Sequence, residues 1–269
     1  MVAKKAIPRQ ATKARTAHVR PPARSVAGLD PAAAAVKARP RPRRARLSAA
    51  EVAAIFRRFQ EIEPSPTGEL EHTNPFTLLV AVVLSAQATD AGVNKATRGL
   101  FALAQSPQEM LALGEERVRD AIKTIGLYRN KAKNVILLSR QLIELHAGEV
   151  PADRDQLETL AGVGRKTANV VMNVAFGAPT MAVDTHVFRV ANRIGLSSGK
   201  TPLAVEKDLV KAIPPEFGVP AHHWLILHGR YLCKARKPEC YRCPIREFCR
   251  FEPKTEAPGK TTGRSSPKG

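Results

Sequence analysis

Three groups of residues in this chain have types and spacings that could do chemistry. The first is the run Gly162-Val163-Gly164-Arg165-Lys166. Two glycines two apart permit positive φ and close backbone approach. The N–H groups from Gly162 through Val163 to Gly164, with the positive end of a helix that starts at once, could then hold a phosphate without any side chain. An ordinary packing turn uses glycines in the same way. Lys166 falls in the first turn of that helix, where the helix field disfavours a cation and lowers a lysine pKa. A neutral amine is the form that attacks an electrophilic carbon and makes a Schiff base; a solvated lysine or a phosphate contact is the plainer reading. The second is Asp184, at the expected start of the next helix. As a cap it contributes about 1 kcal/mol, and a capping carboxylate is rigidly aimed.

The third group is Cys233, Cys240, Cys243 and Cys249, four thiols within 17 residues and the only cysteines of the chain. They are too clustered to staple a chain of 269 residues and read as ligands. A thiolate quartet holds tetrahedral zinc or an iron–sulfur cluster, and ligand count alone leaves both open, with zinc the commoner. Lys234, Arg236, Lys237, Arg242, Arg246 and Arg250 outnumber Glu239 and Glu247 around them, so these loops present a basic face. Gln87 and Leu127 both fall at expected helix-to-loop junctions. An exposed Leu could wedge between bases and an amide could fill the space of an extruded nucleotide, although out of context such residues are more often core and surface. Trp224, with His222 and His223, could stack on bases but reads foremost as packing.

The elements that must position these groups are helices. Period-2 alternation is almost absent, and helix-start signals recur: Ser48 before 49–60, Asn74-Pro75 opening a helix through Leu84, Asp90 before 91–103, and Ser106-Pro107 with Glu109 as a capping box. Gly126 closes 115–125, an amphipathic stretch runs from Asn130 to His146, Asp155 starts a short helix that breaks at Gly162, and Arg165 to Phe176 follows. Asp184 caps 185–194, Thr201-Pro202 opens another helix, and 221–235 leads into the cysteines. The fold class is all-α, about ten helices on short loops.

Charge names the partner class. Lys and Arg number 43 against 24 Asp and Glu, a net of +19, which favours nucleic acid first and an anionic surface second. No run reaches the roughly 18–20 apolar residues of a membrane span, and the N-terminus lacks a secretory pattern; a cytoplasmic, nucleoid-associated protein is expected. Residues 1–46 hold 13 Lys and Arg and one acid, Asp30. Without aromatics or an apolar period they read as a disordered basic tail, and residues 251–269 as a second, weaker one.

These residues together resemble the endonuclease III family of helix-hairpin-helix DNA glycosylases, from about Leu47 to Arg250. The resemblance rests on SAQATD at 85–90, TIGLY at 124–128, GVGRKTANVV at 162–171, VDTHVFRV at 183–190, HHWLILHGRYLC at 222–233 and the cysteine spacing. It implies a 4Fe–4S cluster on the four cysteines in place of zinc. It also implies two helical domains with a DNA cleft between them: a six-helix barrel at 68–178 carrying the hairpin at about 155–177, and a discontinuous cluster domain at 47–67 and 179–250. It makes Lys166 the Schiff-base lysine, Asp184 the catalytic aspartate, and Gln87 and Leu127 the residues that fill the gap left by a flipped nucleotide. Arg165 and His186 complete the expected DNA contacts with the hairpin backbone. The implied activity is excision of oxidised pyrimidines from duplex DNA with abasic-site lyase chemistry, by a monomer. An adenine-specific mismatch glycosylase is less favoured because that relative does not use a lysine here; a non-catalytic DNA-binding protein would need neither Lys166 nor Asp184. Two departures stand out: Ala161 occupies a place where the family often has proline, which would loosen the turn slightly, and the 46-residue tail has no counterpart in the shorter members.

Overall fold

The computed structural model describes residues 47–259, so the expectations for the basic tail at 1–46 and for 260–269 lie outside the described residues. All regular structure among the described residues is helical. Helix α1 (Ala49–Ile62) starts at Ser48, whose hydroxyl accepts from Glu51 N while the Glu51 carboxylate accepts from Ser48 N. α2 (Pro75–Leu84) opens on the expected Asn74-Pro75 pair, and every residue from Phe76 to Leu84 is buried, which makes it the central helix of its core. α3 (Asp90–Phe101) differs by one residue: Thr89 rather than Asp90 is the cap, its hydroxyl accepting from Gly92 N. The Asp90 carboxylate is drawn instead to Arg230.

α4 (Pro107–Ala121) has its capping box and continues across a kink at Gly114, φ +81°. It ends before 125, because Ile125 N closes a turn on Ile122 O. α5 (Tyr128–His146) is the longest helix and ends at Ala147 and Gly148, both left-handed. α6 (Arg154–Glu158) is capped by Asp153, not Asp155, through a 2.8 Å bond to Gln156 N. α7 (Arg165–Phe176), α8 (Thr185–Ile194) and α9 (Pro202–Ala212) begin where the cap signals put them. α10 (Ala221–Tyr231) stops short of 235, since Cys233 N turns back onto His228 O at 2.7 Å as the chain enters the cysteine loops.

Apolar side chains gather into two cores. One is built on α2 and includes Leu79, Leu84, Leu100, Met110, Leu138 and Leu157, drawn from α2 to α7. The other joins α1 to α8, α9 and α10 through Phe56, Val187, Ile194, Leu209 and Trp224. Trp224 is core: its Nε1 donates to Glu63 O at 2.8 Å, and its ring packs with Phe56, Phe59 and Phe217. Residues 251–256 pack against the cysteine loops. The Arg193 guanidinium lies over the Phe251 ring at 4.6 Å, Thr255 Oγ1 accepts from Cys240 N, and Arg246 pairs with Glu256. The reason is the cysteine loops themselves, whose backbone N–H groups need partners that a short polar tail supplies.

Candidate functional site

α6, the turn after it and α7 form a helical hairpin. Gly162 has φ +77°, and a Cβ there would lie 2.9 Å from Asn134 Nδ2, so both conformation and space demand glycine. Val163 is buried and anchors the turn to the first core. Gly164 faces open space and is the cap of α7 without any side-chain cap bond. Among the described residues nothing takes up the N–H of Gly162 or of Gly164. Unpaired donors beside the positive end of a 12-residue helix can take up an anion. The Arg165 side chain is committed inward: Nε and Nη2 bond the two carboxylate oxygens of nearly buried Glu206 at 2.9 and 2.7 Å. What Arg165 turns toward the anion site is therefore its backbone.

Lys166 follows in the first turn of α7 and opens into a pocket of about 70 Å³ lined also by Ser85, Asp90, His222, His223 and Arg230, with Val82, Val170 and Leu227 as apolar walls. The side chain is exposed to the cleft, yet the surrounding protein desolvates its ammonium and the Arg230 charge repels it. Together these hold Lys166 below the ordinary lysine value against the pull of Asp184 and Asp90. Asp184 caps α8 with one oxygen: Oδ1 accepts from His186 N and Val187 N, both at 2.8 Å. Its Oδ2 has no hydrogen bond among the described residues. The amine and the second carboxylate oxygen are thus within electrostatic reach of one another, each held by a helix start.

The polar floor of this pocket was missed by sequence reasoning. Arg230 Nη1 bonds Asp90 Oδ2 at 2.5 Å and also Glu69, which accepts in turn from Tyr231 OH. Asp90 and Arg230 lie 140 residues apart; both stand inside quoted motifs, but nothing local pairs them. His222 is buried, its Nδ1 has no hydrogen-bond partner among the described residues, and burial followed by the charges of His223, Lys166 and Arg230 brings its pKa down to about 3. It is a neutral wall. His186 is used in packing: its Nδ1 lies 3.2 Å from Arg189 Nη2, and its Cβ leaves no room for a side chain at Gly229.

Gln87 and Leu127 share a feature that their residue types do not advertise. Both are exposed and both have positive φ, 55° and 59°. Leu127 starts α5 with no side-chain cap and with its side chain 58% exposed. Left-handed backbone in a non-glycine residue costs on the order of 1–3 kcal/mol and collects at binding and catalytic sites.

The four cysteines line one pocket with Ile194, His228, Leu232 and Phe251. Arg193 frames it, donating to Lys234 O and Ala235 O at 2.7 and 2.9 Å and approaching Cys233 Sγ at 3.6 Å. Among the described residues no group of three or more His, Cys, Asp and Glu side chains is arranged to hold one metal ion. The four sulfurs around this pocket match in number the ligands of a 4Fe–4S cluster. Burial pushes the Cys243 thiol up to about 12 and shifts Cys249 the same way, so thiolates here require a cationic centre among them.

The sequence matches the HhH-GPD superfamily of base excision DNA repair proteins over residues 80–215, and the iron–sulfur binding domain of endonuclease III over residues 233–249. Endonuclease III of Haemophilus influenzae is 57% identical over 202 residues, covering 75% of this chain and 96% of that protein. Endonuclease III of Escherichia coli matches with the same identity and coverage. The solved structure of a trapped endonuclease III–DNA covalent intermediate aligns with a TM-score of 0.71 at 49% identity, over 76% of this chain and 96% of that one.

Proposed function

This chain belongs to the endonuclease III family of HhH-GPD base excision DNA repair proteins, and on that footing we propose that Lys166 is its nucleophile and Asp184 the carboxylate that works beside it. The protein is a DNA glycosylase and abasic-site lyase with a 4Fe–4S cluster. The observation that carries the residue assignment is the lowered lysine at the mouth of the pocket, with Asp184 Oδ2 left unbonded within reach.

In this reading the Lys166 amine attacks C1′ of a nucleotide turned out of the stack, and the bond from C1′ to the base breaks as the new C–N bond forms. Asp184 stabilises the positive charge that develops on the sugar and assists proton transfer. Opening of the ring leaves an iminium, which acidifies the C2′ hydrogens. Loss of one of them, with cleavage of the bond from C3′ to its phosphate oxygen, nicks the strand. Water then releases the lysine. The hairpin N–H groups of Gly162 and Gly164 hold a backbone phosphate, while Gln87 and Leu127 occupy the space the nucleotide leaves. Cys233, Cys240, Cys243 and Cys249 hold the cluster, which when bound gives the basic loops between them a fixed shape.

The substrates proposed are duplexes carrying oxidised pyrimidines or abasic sites. A small pocket with Ser85, Asp90 and Arg230 as polar partners suits one six-membered ring. The two apolar cores are read as two domains, 68–178 and 47–67 with 179–250, and the protein is read as a monomer. A net charge of +19 fits residence on the nucleoid. The test is incubation with duplexes carrying single defined lesions, with and without borohydride. Lys166→Ala should abolish the reduced covalent adduct while binding survives; an adduct that persists moves the nucleophile elsewhere.

A further inference from the structure

Ala161 keeps a backbone N–H that proline would lack, and that donor has a partner. Ala161 N donates to Gln141 Oε1 at 2.7 Å, and Gln141 Nε2 donates to Thr159 O at 3.3 Å. One side chain of α5 therefore spans the turn between α6 and α7. Seven residues earlier on α5, Asn134 lies under Gly162. Positions 134 and 141 share a helix face, so this face holds the hairpin at the strained glycine and in the residues that lead into it.

We propose that Gln141 is a positioning residue for the hairpin. By bonding both Thr159 and Ala161 it fixes the path of the chain into Gly162, so that the N–H groups of Gly162 and Gly164 emerge together on the open side. It does with two hydrogen bonds what a fixed φ does in a turn that carries proline. The turn is not loosened by alanine; its restraint has moved onto the neighbouring helix. The proposal rests on reading the hairpin as a phosphate site, and it names a residue that touches neither DNA nor the reacting atoms.

The test uses the full-length, cluster-loaded protein, labelled for amide NMR, with a duplex carrying an uncleavable abasic-site analogue. Gln141→Leu should speed hydrogen exchange at the Ala161 amide and weaken duplex binding about 3- to 10-fold, the effect of losing one or two modest hydrogen bonds. KM should rise while kcat at saturating substrate stays within about twofold, because the pocket is untouched. Adding Ala161→Pro to Gln141→Leu should restore most of the affinity, whereas Ala161→Pro alone strands the Gln141 acceptor and weakens binding. Unchanged exchange at Ala161 in Gln141→Leu, or strictly additive effects of the two substitutions, would overturn the proposal. The phosphate reading is tested separately, in the unaltered protein: if the Gly162 and Gly164 amide signals do not move when duplex is added, that reading fails, while exchange at Ala161 still decides whether the clamp exists.

Discussion

Leu127 combines a backbone penalty with an exposed apolar side chain, which allows stability and DNA binding to be pulled apart in one position. Its φ of 59° carries strain of about 1–3 kcal/mol in a non-glycine residue. Glycine removes that strain, but orders at a further cost of about 0.5–1 kcal/mol. It also gives up the part of the side chain that is buried. That part is small because the side chain is 58% exposed, and it amounts to about 1 kcal/mol on the scale for burying a leucine. These contributions nearly cancel, so Leu127→Gly should unfold within about 1 kcal/mol of the parent. Leu127→Ala keeps the strain and loses the same contact, so it should be the less stable of the two by roughly 1 kcal/mol. Binding follows a different account. The exposed part of the leucine is what an opened base stack can cover, and at about 1–2 kcal/mol its loss predicts a 5- to 20-fold weaker Kd for lesion duplex. Both variants should show that loss, with little change on undamaged duplex. The assays are urea unfolding and fluorescence anisotropy on matched duplexes. Equal losses on both duplexes would refute the wedge assignment, and a glycine variant less stable than the alanine one would refute the strained backbone.

Lys166→Met should abolish borohydride trapping and raise the midpoint of unfolding at neutral pH. The folded-state pKa of Lys166 lies below 10.5, mainly through desolvation, so its ammonium opposes folding at neutral pH and that penalty fades as pH rises toward the ordinary value. His222→Gln should flatten acid unfolding between about 6.5 and about 3, the window in which the unfolded chain protonates this imidazole and the folded one does not; an unchanged urea midpoint profile against pH would count against its burial. Cys240→Ser should lower iron content, stability and DNA affinity together, and full zinc occupancy of the unaltered protein grown with ample iron would refute the cluster assignment. Removing residues 1–46, which carry 12 of the 19 net charges, should leave single-turnover excision nearly unchanged and flatten the salt dependence of undamaged-duplex binding, since each lost phosphate contact reduces the slope by about 0.9.

The helix starts could be read from the sequence more fully than the walls of the pocket. Helix starts were legible because caps are short-range: Ser48, Asn74, Ser106 and Asp184 each bond within three residues. The two misplaced caps share one reason, competition. Thr89 and Asp153 stand one and two residues before the acids first favoured, Asp90 and Asp155, and the chain uses the earlier side chain because the later carboxylate has an arginine to serve, Arg230 for Asp90 and Arg154 for Asp155. For Asp90 that arginine lies 140 residues away, which a local rule does not contain, whereas for Asp155 it is the preceding residue.

The same limit explains what was visible around Lys166. Its place against a helix start can be read from six residues, and this already lowers the amine. The larger cause in the folded chain is desolvation, which comes from walls supplied by α2 and α10, far away in sequence. Asp90 and Arg230 also line the pocket, bonded to one another, and their opposed effects on Lys166 are smaller than the desolvation. If Arg230 were free, its charge would repel the ammonium more strongly; if Asp90 were free, it would pull the lysine toward the charged form. Bonding the two across the pocket floor lets burial dominate. The amine's pKa is then held below the ordinary lysine value, in a protein whose composition alone, 43 basic residues to 24 acidic, says nothing about any single lysine.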